Sequence, residues 1–234
     1  MLSPTLVKII NALPESLLIK TTKVIANRLL KKYANIKIEG IENIDKVDGP
    51  KIFICNHLSN ADGLILDKIL REKYDPIFVA GEKLSGDPVT RLGIEMVRNV
   101  KIKPNSADKE AITTIVKLVK NGENLMIFPE GTRSRTGAMI EGKRGILLIA
   151  KLTKAHIIPI SMTGTEVLLP IAKDGNMGGE KFNHADVNIK FGEPITLPVK
   201  EKEEDKHEYD NRVMTYIMKS IANLLPEKYR GIYK

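Results

Sequence analysis

Short β-rich runs alternate along this 234-residue chain with stretches of helical periodicity, and that alternation leaves few folds open. Strand-like segments are predicted at 35–40 (NIKIEG), 51–55 (KIFIC), 76–80 (PIFVA), 124–128 (NLMIF), 156–160 (HIIPI) and 187–191 (VNIKF). Helical patterns cover 62–71, 106–120 and 143–151. In the second of these, Ile112, Ile115, Val116 and Val119 keep 3.6-residue spacing, and Asn121-Gly122 suits a helix stop because both residues tolerate left-handed backbone. A closing amphipathic helix carries Val213, Ile217, Ile221 and Leu224, and the charge run 200–208 (KEKEEDKHE) before it reads as a solvated connector. Strands alternating with helices predict an α/β domain in which helices flank a mostly parallel central sheet. At this length a single domain with a real core is the expectation, residues 35–234 forming it and 1–34 preceding it.

The segment 1–34 is different in character. Of the formal net charge of +8, most is N-terminal: residues 1–38 hold Lys8, Lys20, Lys23, Arg28, Lys31, Lys32 and Lys37 against Glu15 alone. Read as a helix, 15–33 places Leu18, Ile25 and Leu29 on one face and Lys20, Lys23 and Lys31 on the opposite one. That pattern fits a helix lying in a bilayer interface, and equally a surface helix packed on its own domain. Lys8, Pro14, Glu15 and Lys20 interrupt the best apolar run before it reaches the ~18 residues needed to span a bilayer, and no cleavable signal is evident. The single cysteine, Cys55, allows no internal disulfide and no CxxC zinc site, which fits a reducing, cytoplasmic setting. With 5% aromatic residues, no Trp and no recognised motif, a nucleic-acid partner is disfavoured. Metal ligands do not cluster, and His156 and His184 read as structural.

Two polar loops follow buried-type strands. In the first, His57 lies just past KIFIC and Asp62 five residues on. On one continuous helix that spacing would turn the two side chains away from each other, so they meet only if a turn intervenes. With His57 on the loop and Asp62 in the first helical turn, the carboxylate can fold back onto a ring nitrogen, fix the tautomer and leave the other nitrogen to accept a proton. Cys55, two residues earlier, reads as core packing. In the second loop, 128–135 (FPEGTRSR), Glu130 is followed by a permissive Gly131 and by Arg133 and Arg135, whose forked donors suit a phosphate.

The blocks NHLSNAD and FPEGTRSR resemble the H-x4-D and FPEGTRS blocks of the glycerolipid acyltransferases, the 1-acylglycerol-3-phosphate acyltransferases among them. The segment 157–160 (IIPI) is similar to the family's later apolar-Pro block, and 191–195 (FGEPI) to a phrase near its end, so the resemblance runs from about residue 36 to 196. It implies transfer of an acyl group from acyl-CoA or acyl-carrier protein to the 2-hydroxyl of a lysophosphatidate, with no other cofactor. His57 would be the base and Asp62 its orienter, with Glu130, Gly131, Thr132 and Arg133 binding the acceptor. The implied setting is the cytoplasmic face of the cell membrane, met through segment 1–34. Where the family has an arginine for the acceptor's phosphate, this chain has Pro104, which leaves Arg98, Lys101 or Lys103 to substitute, or a different head group. Lys143 and Arg144 match a basic pair seen after the FPEG block, and either contact phosphate or form a solvated helix start. The rival readings are an acyltransferase using glycerol-3-phosphate or another lysolipid, and a silent membrane-binding relative.

Overall fold

A computed structural model describes residues 14–82, 93–103, 108–172 and 179–234. Helix α1 (Glu15–Tyr33) leads into β1 (Ala34–Glu39), and β2 (Lys51–Cys55) is followed by α2 (Ala61–Leu70) and β3 (Ile77–Gly81). Next come β4 (Asn99–Ile102), α3 (Lys109–Lys120), β5 (Leu125–Ile127), α4 (Gly145–Thr153) and β6 (His156–Thr163). The short α5 (Thr165–Leu168), β7 (Ala185–Phe191) and α6 (Lys206–Ala222) complete the order. The strands form one seven-stranded sheet, β1-β7-β6-β2-β5-β3-β4, parallel throughout except for the β6–β7 pair. The α/β expectation therefore holds, with one antiparallel pair added. Strand β4 and helix α5 were not predicted, because four residues of NVKI and four of TEVL are too short to establish a period.

Alternation along the central strand sorts the core into two layers. Ile52 and Ile54 face Ile115 and Val119 of α3, Ile146 and Ile149 of α4, and Val213, Ile217 and Ile221 of α6. Phe53 and Cys55 face Ala61, Ile65 and Leu66 of α2, with Leu30 of α1 in the same layer. All five residues of β2 are buried, as befits a strand covered on both faces.

Local chemistry sets the helix ends. Asp108 caps α3 by accepting from Ala111 N, and Gly122 at φ 97° follows its C-terminus, as the Asn-Gly pair predicted. The run 200–208 is more than a connector: Asp205 and Glu208 form a capping box that starts α6, because a short acid followed three residues later by Glu satisfies the first free N–H groups.

Helix α1 forms over the expected residues, with its packed face turned somewhat from the expected stripe. Leu30 is buried, and Lys23 turns toward the domain to pair with Asp67 at 3.3 Å, while Ile25 stays half exposed. The outward face mixes Leu17, Val24 and Ile25 with Lys20, Arg28 and Lys31. Leu30 lies in the same apolar layer as Ile44 and Phe191, and of the expected stripe Leu18 and Leu29 are partly buried while Ile25 faces outward. Lys8 lies outside the described residues. No helix among the described residues is long and apolar enough to cross a membrane.

Candidate active site

Strands β2 and β5 are parallel neighbours, so the loops after them emerge side by side at the carboxyl ends of the sheet, where α/β proteins place ligands. Asn56 first locks the end of β2 to β6: its carboxamide accepts from Met162 N and donates to Met162 O, both at 2.8 Å. The chain then turns through 57–60 into α2, and Asp62 sits in that helix's first turn. One oxygen of Asp62 gathers three donors: His57 Nδ1 at 2.8 Å, Leu58 N at 2.7 Å and Ser59 N at 2.9 Å. A carboxylate only accepts, so Nδ1 carries the hydrogen and Nε2 is left as the basic nitrogen. The other Asp62 oxygen is buried and has no hydrogen-bond partner among the described residues. The imidazole, 20% exposed, stacks on Phe128 with centroids 4.1 Å apart and planes 17° from parallel. His57 is thus fixed in tautomer by Asp62 and in plane by Phe128, and part of its side chain stays exposed.

The second loop grips the backbone of the first. Glu130 is fully buried, and its two oxygens accept from His57 N at 2.9 Å and Ile140 N at 2.8 Å. Ser134 N donates to His57 O at 2.8 Å, so the 128–135 loop holds His57 on both sides of its Cα. Burial pushes the Glu130 carboxyl up to about 7; the two backbone N–H groups oppose that rise and the nearby Asp62 charge adds to it. Glu130 was expected to bind the acceptor; in the structure it has no exposure and both its oxygens are engaged by backbone N–H groups, so it holds the turn that carries His57. Cys55 is fully buried, and burial followed by the charges of Asp62 and Glu130 raises its thiol well above the usual range, which removes it as a nucleophile.

The other predicted site residues divide. Gly131, at φ 70°, and Thr132 are exposed on the turn beside His57. A side chain at Gly131 would lie 3.1 Å from Lys143 Cγ, so Lys143 crosses directly over this turn, and its own N–H donates to Pro129 O at 2.7 Å. Lys143 and Arg135 are exposed cations, and Arg144 donates to Asn211. Arg133 is mostly buried and pairs with Glu180 at 2.7 Å, while Glu180 also accepts from Asn60 of the first loop at 2.8 Å.

Arg98 is not in the site. It precedes β4 and bonds Asp75 at 2.8 Å and Glu123 at 3.0 Å, at the end of the sheet opposite His57, because β2, β5, β3 and β4 pair in parallel and start at the same end. Lys101 pairs with Glu95. Lys103 follows β4 at the carboxyl end, but three strands from β2, about 14 Å away at ordinary strand spacing. Pro104 lies outside the described residues. No group of three or more His, Cys, Asp or Glu able to hold a metal occurs among the described residues.

Residues 35–163 match the Acyltransferase family. The chain belongs to that family. It is 31% identical over 161 residues, 68% of its length, to a chloroplastic 1-acyl-sn-glycerol-3-phosphate acyltransferase of Brassica napus, of which the match covers 44%. It is 26% identical over 180 residues to a 1-acyl-sn-glycerol-3-phosphate acyltransferase of Bacillus subtilis, covering 74% of this chain and 83% of that one. Its fold is similar to the crystal structure of the 1-acyl-sn-glycerophosphate (LPA) acyltransferase PlsC from Thermotoga maritima, with a TM-score of 0.62 and 25% identity over 90% of this chain and 80% of that one. The chain spans less than half the length of the first curated relatives it matches. Both acyltransferase loops described above lie inside the family match.

Proposed function

We propose that this member of the acyltransferase family moves a fatty acyl group from acyl-CoA or acyl-carrier protein to the 2-hydroxyl of a 1-acylglycerol-3-phosphate, forming phosphatidic acid. The observation that carries the reading is the partly exposed imidazole of His57, whose Nδ1 is held by Asp62 and whose ring stacks on Phe128, which leaves Nε2 as the basic nitrogen. In a direct transfer, Nε2 takes the hydroxyl proton as the oxygen attacks the thioester carbonyl. The tetrahedral intermediate then collapses, the C–S bond breaks, and the imidazolium returns the proton to the departing thiolate. Base catalysis of this kind contributes on the order of 10² to 10⁴ in rate. The acceptor's phosphate meets the exposed Lys143 and Arg135 beside Gly131 and Thr132. The outward face of α1, with Leu17, Val24 and Ile25 among Lys20, Arg28 and Lys31, suits an anionic bilayer surface, apolar side chains entering and cations staying at the head groups. On this reading the enzyme works at the cytoplasmic face of the membrane.

A second reading, an acceptor with another head group, is favoured by the engagement of Arg133 with Glu180, which compensates a charge that the resemblance assigns to acceptor binding. Mass detection of the product lipid, across panels of acceptors and thioester donors, separates the two. Phosphatidic acid as the main product supports the first reading, and preference for a phosphate-free lysolipid overturns it. Cys55→Ala retains transfer in a direct mechanism; loss of activity there, or an isolable acyl-protein, contradicts it.

A further inference from the structure

Two short 3-10 turns, Glu227–Tyr229 and Gly231–Tyr233, follow α6 and lie beyond the residues matched by the family. They touch loop 137–142 at three points. Met139 N donates to Tyr229 O at 2.8 Å, and Gly142 N donates to the Tyr233 hydroxyl at 3.1 Å. Gly231, at φ 57°, approaches so closely that a Cβ there would lie 1.9 Å from Met139 O. Between those anchors stands Ile140, whose N–H meets the same Glu130 carboxylate that holds His57 N.

A second branch starts from the same segment. The Tyr229 hydroxyl donates to Glu166 of α5 at 2.6 Å, and Leu169, which ends α5, accepts from Ser59 Oγ at 2.7 Å. Ser59 also accepts from Ala61 N and gives its own N–H to Asp62. Both branches therefore end on the turn 57–62, one at the His57 backbone and one at Ser59. Tyr229 and Tyr233 pack against the core layer of α4 and α6, which gives the brace a rigid footing.

We infer that the 227–233 segment is a brace that positions His57, with Tyr229 and Tyr233 as positioning residues for the transfer. The inference rests on His57 being the base. Neither tyrosine touches the imidazole; they act by limiting how far the turn can shift, and a misplacement near 1 Å can cost about 10²-fold in rate. Phenylalanine at either position keeps the packing and removes only the bonds to Gly142 or Glu166, so a general loss of fold is not expected.

The test joins turnover to residue-resolved amide exchange in the intact chain. In Tyr229→Phe/Tyr233→Phe, kcat falls about tenfold with KM within about twofold, because base placement and not acceptor binding has changed. The amides of His57, Leu58 and Ser59 exchange at least about tenfold faster, while those of α3 keep their protection. Gly231→Ala, which displaces Met139, shows the same pattern more strongly. Unchanged exchange at 57–59, or an equal rise across α3, overturns the brace. Absence of any transfer by the unsubstituted chain would instead count against the proposed function, and the exchange arm would still decide the brace.

Discussion

At the amino ends of the strands, Arg98 reaches Asp75 and Glu123, and all three side chains keep a third or more of their surface exposed. At the carboxyl ends, Asp62 and Glu130 are buried and accept mainly from backbone N–H groups of the other residues that build the turn. Charges at the first end neutralise each other in water, where such pairs contribute about 0 to 1 kcal/mol. Those at the second fix the path of the main chain, so each substitution there shifts the turn that carries His57. Similar side chains thus do unlike things, and what separates them is burial and the kind of donor.

The comparison is broken most severely by Asp62→Asn. An amide cannot hold Nδ1–H and stabilise the imidazolium as a carboxylate does, and kcat should fall about 10² to 10⁴-fold with KM little changed. Glu130→Gln comes next, at about 10 to 100-fold in kcat, since the amide presents an N–H toward one of two backbone N–H donors. Glu130 also carries a pH signature. Its carboxyl is raised from 4.5 to about 7 in the folded chain, so folding favours the protonated form. The stability this contributes is fully present below about 4.5 and is lost as pH rises through about 7, an effect on the order of 3 kcal/mol. Denaturant titrations from pH 4.5 to 8 should show that slope, and Glu130→Gln should flatten it. Lys143→Ala sharpens the comparison from the substrate side: KM for a phosphate-bearing acceptor rises roughly 3 to 10-fold with kcat retained. The smallest effect belongs to Arg98→Ala, with transfer unchanged and stability within about 1 kcal/mol in the same titrations.

Much of this was legible in the residues themselves. The meeting of His57 and Asp62 followed from a strand end, a polar turn and a helix start, all of which are local. Six of the seven strands were legible as β-rich runs, and β4, at four residues, was not. Roles that depend on long-range contact were not legible. The grip of Glu130 on His57 spans 73 positions, the bond from Glu180 to Asn60 spans 120, and no periodicity encodes either. Phe128 was in plain view within FPEGTRSR, yet its stacking on His57 depends on β2 and β5 being neighbours. Arg98 misled because nearness in sequence to the usual phosphate-binding position says nothing about which end of a parallel sheet a residue occupies.

The central claim, that His57 acts as the base of a direct acyl transfer, is tested most directly by His57→Ala assayed with lysophosphatidate and an acyl thioester. Product would be followed by lipid mass and the fold checked by thermal unfolding. The expected result is a folded protein whose phosphatidic acid formation falls at least about 10³-fold, from loss of the base and of the Asp62–His57 pair together. A folded His57→Ala protein that makes phosphatidic acid at an undiminished rate would contradict it.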